Sequence, residues 1–107
     1  MSATGRVRAY PVTGQSGPVF PDSSANPNLY AQWGYCGFTL ANTSIAQSYR
    51  ITITDESGST LDVFDLDPGE TRAEWYGPQG ITFDQRMSVN FSPDTATGVV
   101  VGSVRVG

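Results

Sequence analysis

The chain has 107 residues, the size of one domain, and is long enough to bury a core without disulfide or metal staples. Hydrophobic residues at 38% and aromatics at 11% exclude a disordered chain. The formal net charge is −4 with six Arg, no Lys and no His, which disfavours nucleic-acid binding and removes the commonest general base, the commonest zinc ligand and all lysine chemistry.

The first 28 residues form a segment rich in Pro, Gly, Ser and Asn. Pro11, Pro18, Pro21 and Pro27 each fix φ and remove a backbone donor, so no helix runs here. Two extended pieces are predicted, Arg6–Val12 and Pro18–Phe20, whose prolines suit an edge strand or an arm. The expectation is an extended N-terminal arm over 1–28, docking on its own domain or on a neighbour, followed by a β-sandwich body over 29–107.

From Leu29 the texture changes. In Leu29–Asn42, Cys36, Phe38 and Leu40 alternate with Tyr35, Gly37 and Thr39, a period of two. Ala46–Thr54 continues the pattern with Tyr49, Ile51 and Ile53 on one face. Residues 55–59 read as a hairpin loop, Leu61–Leu66 as the return strand, and Asp67-Pro68-Gly69-Glu70 as a turn. Thr71–Tyr76, Ile81–Phe83, Met87–Phe91 and Gly98–Val106 follow as strands. The Val-rich last strand predicts a parity shift near Gly102-Ser103. The whole reads as all-β: a two-layer antiparallel sandwich or small jelly roll of seven to eight short strands. The pattern leaves jelly-roll and immunoglobulin-like strand orders open.

One cysteine, Cys36, excludes an intrachain disulfide and reads as a small buried hydrophobe. The N-terminus MSATGRVRAY has no apolar signal region, and no apolar run is long enough to span a membrane as a helix. The expectation is a complete product starting at Met1 and made in the cytoplasm. The glycosylation patterns at Asn42-Thr43-Ser44 and Asn90-Phe91-Ser92 read as coincidence without a secretion signal.

Without His or Lys, the chemistry left to an enzyme is a carboxylate pair. Asp62, Asp65 and Asp67 alternate with apolar residues, and the plain reading is a solvated strand and turn. The acidic stretch Asp55–Glu70 lacks the EF-hand spacing and reads as a hairpin with acidic loops. No enzyme activity, cofactor or metal is expected. The aromatics carry more. Trp33, Tyr35, Trp75 and Tyr76 fall near strand ends and turns, and Tyr10, Phe20 and Tyr30 in or near the arm. With Arg8 they are the candidate contact residues, because exposed Trp and Tyr anchor interfaces and sugar-stacking platforms. The alternative is that Trp33 and Trp75 cap the two ends of a small core.

From about Tyr35 onward the chain resembles small head decoration or cement proteins of tailed bacteriophages. The residues that carry the resemblance are Pro68-Gly69, Thr71–Tyr76, the Gly80-Ile81-Thr82-Phe83 step, Met87–Phe91 and Thr97–Val106. Arg86-Met87 stands where similar proteins have Gly-Leu. The resemblance implies a virion protein bound outside a capsid, often as a trimer, with the major capsid protein or another virion protein as partner. Alternatives of similar build are a head–tail or tail-tip component, or a carbohydrate-binding module.

Overall fold

Tyr49, Ile51 and Ile53 alternate with Arg50, Thr52 and Thr54, and in the fold the first three are buried while Arg50 is exposed. That period of two gives a strand one apolar face, which it must bury against a second layer. The computed structural model describes residues 7–20, 33–83 and 85–107. Its described residues form nine strands and no helix: β1 (Arg8–Val12), β2 (Gly17–Phe20), β3 (Trp33–Asn42), β4 (Tyr49–Asp55), β5 (Thr60–Leu66), β6 (Thr71–Trp75), β7 (Ile81–Phe83), β8 (Met87–Ser92) and β9 (Val100–Val106).

One sheet runs β1-β9-β3-β6, with β7 also on β3, and the other runs β2-β8-β4-β5. Every pairing is antiparallel. Early strands pair with late ones in reverse order: β1 with β9, β2 with β8, β3 with β6, β4 with β5. The pairs β9·β3 and β8·β4 then roll this long folded ribbon into two sheets. That is jelly-roll order. An immunoglobulin-like order keeps the last two strands side by side in one sheet, whereas β8 and β9 lie in different sheets here.

The core lies between the sheets. Phe38, Leu40, Val104 and Val106 from the β3 sheet meet Ile51, Ile53, Leu66, Met87 and Val89 from the β4 sheet. Phe38 stacks on Phe64 across the gap, with centroids 4.1 Å apart and rings 4° from parallel. The Arg72 guanidinium lies 5.7 Å from the Phe64 ring centre and covers its edge of the core.

Within the 1–28 segment, β1 and β2 are outer strands, one in each sheet, which is where Pro11 and Pro18 leave no interior ladder bond unmade. Val12 and Phe20 are buried, so the core draws on both sides of residue 28. Residues 1–6 and 21–32, which include the rest of the arm, Tyr30 and the expected start of the Leu29 strand, lie outside the described residues.

Two expectations about parity are corrected. The ladder runs without a shift through Gly102↔Leu40 and Ser103↔Thr39, and Val100, Val104 and Val106 are all buried, so there is no bulge at 102–103. The irregularity lies in β3, between Tyr35 and Gly37. An extra residue there puts Tyr35 in the core cluster and leaves Cys36 out of it, the reverse of the simple alternation. β4 also starts later than expected, at Tyr49, because residues 43–48 are held as a loop.

Asn42, 1% exposed, holds that loop. Its Nδ2 donates to the carbonyls of Gln47 (2.8 Å), Leu66 (3.2 Å) and Asp67 (3.2 Å), and its Oδ1 accepts from Ser44 N–H at 3.0 Å. This ties the β3–β4 loop to the β5–β6 turn. It also leaves no room for a glycan on Asn42. Replacing Asn42 with Ala strands several buried polar groups and is expected to cost about 3 kcal/mol in urea unfolding. Phe38→Ala, which opens the stacked centre of the core, is expected to cost about 3–5 kcal/mol. A loss below about 1 kcal/mol in either variant would contradict these packing assignments.

Candidate contact surface

Directly opposite residues in a ladder project to the same face of a sheet, so the register of the β3 sheet lays out its surface. Trp75, Gly37, Arg105 and Ala9 form one row across β6, β3, β9 and β1. Ala73, Thr39, Ser103 and Pro11 form the next, and Thr71, Ala41 and Val101 the third. The residues between these rows, such as Phe38, Leu40 and Val104, are buried, so the rows face outward.

This outer face is flat because its side chains are small, and it carries one charge. Arg105 donates from Nη2 to Thr39 Oγ1 at 2.7 Å, which lays its side chain along the sheet. Trp75 stands at one corner, 55% exposed. Gly37 in its row has φ +145, and a Cβ there would collide with the Glu74 carbonyl, so the bulge and the close β3·β6 approach both require glycine. The outer face of the β4 sheet is more polar: Arg50↔Asp65, Thr52↔Asn90 and Thr54↔Ser88 dominate it. Arg50 and Asp65 pair there at 2.9 Å. The hydrogen bond and charge of Arg50 hold the exposed Asp65 carboxyl below its usual range.

The aromatic residues expected at the surface separate into two groups. Phe20 and Trp33 are buried, and Phe20 sits at the centre of a cluster with Tyr10 (5.1 Å), Trp33 (4.9 Å) and Phe83 (5.5 Å) that closes one end of the core. Tyr35 is fully buried. These three are therefore corrected from contact residues to core residues, because the β3 bulge and the inward face of β2 turn them inside. Of the two tryptophans read as core caps, Trp33 plugs an end and Trp75 does not. Tyr10 is half-buried against the cluster, and Arg8, Trp75 and Tyr76 are exposed.

Asp62 has a different place from the one its sequence context suggests. It shares a face of β5 with Phe64 and Leu66 and so points between the sheets, while Asp65 points to the opposite face. Its Oδ2 accepts hydrogen bonds from Tyr35 Oη (2.9 Å) and Tyr76 Oη (2.7 Å), whose rings meet edge to face at 5.5 Å. Two phenols from the β3 sheet thus clamp a carboxylate of the β4 sheet. Other acidic side chains are engaged locally. Asp55 Oδ1 is taken by Ser57 and Ser59, Glu70 Oε1 accepts from Asp67 N–H, and among the described residues no three acidic or Cys side chains gather to hold a metal.

The loop 76–80 lies over Cys36, whose thiol donates to Gly34 O (3.5 Å) and Pro78 O (3.7 Å). Burial pushes the Cys36 thiol up from its ordinary pKa, so it stays protonated and unreactive at neutral pH. Gly80 has φ +64, and a Cβ there would strike the Tyr35 carbonyl, which lets the loop lie this close. At the other end of the sandwich Ile45 is 98% exposed at the tip of the loop held by Asn42. Ser44 Oγ accepts from the N–H groups of Ala46 and Gln47 and stiffens that tip. The sequence pattern did not single out Ile45, and it read Asp62 as part of a solvated strand and turn because an acidic residue beside a turn is usually in water.

Comparison of the chain with protein-family models, curated proteins and solved structures finds no match.

Burial, with the Asp62 charge and hydrogen bond second, holds the Tyr35 and Tyr76 phenols well above the ordinary value of 10.0. Below pH 10 both folded and unfolded chains keep these protons, and the clamp contributes fully. Above pH 10 the unfolded chain releases protons that the folded chain retains, so stability falls as pH rises. Tyr35→Phe is expected to cost about 1–2 kcal/mol at pH 7 and to flatten the alkaline fall. Unfolding curves of both proteins from pH 7 to 11 check this, and parallel pH profiles would refute the clamp.

Proposed function

We propose that this chain is a structural virion protein that binds the outer surface of a tailed-phage capsid as a decoration or cement protein. The observation that carries this reading is the flat, nearly uncharged outer face of the β3 sheet with Trp75 at its corner. Such a face binds by area and by an aromatic anchor instead of enclosing a small ligand. A shell of repeated subunits offers a broad surface of that kind. The segment that resembles decoration proteins includes β6 to β9, and β6, β7 and β9 supply three of the five strands of this sheet.

Jelly rolls serve in capsids, lectins and enzymes alike, so the fold leaves the choice among them to the surface. The reading is one of contact and needs no catalytic group. A sugar-stacking platform would use several exposed aromatics. Of Trp33, Tyr35, Trp75 and Tyr76 only the last two are exposed, and the Tyr76 hydroxyl is engaged by Asp62. A head–tail or tail-tip component would use the same face on a different partner.

The test is co-sedimentation of the purified protein with phage capsids and, separately, with tails and with insoluble polysaccharide. Saturable pelleting with capsids is expected, weakened about 30-fold or more by Trp75→Ala, the loss typical of an interface anchor. Pelleting with tails alone, or retention on polysaccharide alone, would overturn the capsid assignment.

A further inference from the structure

We propose that two copies of this chain join edge to edge through β6, antiparallel about Ala73, so that the β3 sheet continues across a two-fold axis. The proposal stands apart from the capsid reading and rests on the geometry of one strand.

Along β6, hydrogen-bonding groups alternate between its two sides. Tyr76 N–H donates to Cys36 O at 2.7 Å, and Glu70 O accepts from Asn42 N–H at 2.8 Å, so the even-numbered residues turn their backbone groups toward β3. The odd residues Thr71, Ala73 and Trp75 therefore turn theirs to the outer edge. Among the described residues no strand pairs with that edge. An antiparallel pair exchanges bonds only between residues whose groups face each other. The register that uses all three sets Ala73 against Ala73 of the second copy and Thr71 against Trp75, in both directions. Every outward N–H and C=O of β6 then has a partner.

The same register places Arg72 opposite Glu74 of the second copy, twice by symmetry. These fall at the non-hydrogen-bonded positions, where cross-strand side chains approach most closely. In one chain Arg72 and Glu74 pair only loosely, at 3.5 Å, with each side chain about 40% exposed. In the pair the four charges alternate in sign, so the edge is complementary to itself. The other four edges lack this property, and the three residues of β7 carry no charge at all. β1 carries Pro11 and β2 carries Pro18, each without a donor. β5 carries Asp62 and Asp65 and no cation, so two copies would gather like charges. Pairing at β6 also extends the flat face across the axis, with each Trp75 beside Thr71 of the other copy.

The test is solution mass by light scattering over a dilution series of the full chain. A dimer of twice 11.4 kDa that dissociates on dilution is expected. Ala73→Pro removes an N–H that points away from β3, so the fold keeps its melting temperature while the dissociation constant rises about tenfold or more. Arg72→Glu and Glu74→Arg each place like charges opposite one another and are expected to be monomers that form a heterodimer when mixed. Should Ala73→Pro fail to fold, the mixing experiment decides alone. A monomer at every concentration, a trimer, or a dimer indifferent to these substitutions overturns the proposal.

Discussion

One extra residue in β3 decides which side chains the two sheets share. The ladder with β9 slips between Tyr35 and Gly37, and Cys36 takes up the slack. Before the slip Trp33 and Tyr35 face the core; after it Phe38 and Leu40 do. Without it, one half of this ten-residue strand would turn its aromatic residues to solvent, since a shift of one residue reverses every side chain beyond it. The bulge also explains the neighbourhood. Gly37 allows β6 to approach, Cys36 goes beneath the 76–80 loop, and Tyr35 reaches Asp62.

That reach matters because the sandwich has an open flank. β5 and β6 are the last strands of their sheets on the same side, and no backbone ladder joins them. Among the described residues the flank is closed by side chains: the Tyr35–Asp62–Tyr76 clamp, and Arg72 lying over Phe64. A carboxylate pointing inward from an edge strand also deters strand addition, since pairing there would bury it without a cation. Asp62 thus serves stability toward the inside and specificity toward the outside. The Arg72–Glu74 pair on β6 is polar too, but its two signs make that edge self-complementary where β5 is self-repelling.

The two ends and two faces of the molecule differ in kind. One end is filled by the Phe20 aromatic cluster; the other is braced by Asn42 and exposes Ile45. One face is polar and ion-paired, and the other is flat with a single exposed tryptophan. On the contact function proposed above such asymmetry is needed, because a partner can select only a surface that differs from the rest. The β3-sheet face meets that requirement with side chains too small to lose much conformational entropy on docking.

The sequence by itself determined the class of fold, the positions of most strands and turns, and the absence of lysine and histidine chemistry. Period-two alternation in Tyr49–Thr54 and the Pro-Gly turns are local signals, written in neighbouring residues. Prolines at 11 and 18 pointed for the same reason to an edge strand or an arm, and both strands are outer ones in the fold. What lay beyond it was everything that depends on which strands meet. Jelly-roll order is a matter of long-range pairing, β1 with β9 and β2 with β8, which no short window carries. The bulge at Cys36 left no mark in composition, so Tyr35 looked like a surface anchor and Trp33 like either an anchor or a core cap, and both are core. Asp62 reads as solvated until Tyr35 and Tyr76 arrive from the other sheet. Trp75 and Trp33 are the same residue type in similar settings, and only the tertiary structure decided that one is buried and the other exposed, because exposure depends on the face and the neighbouring strand, not on the residue.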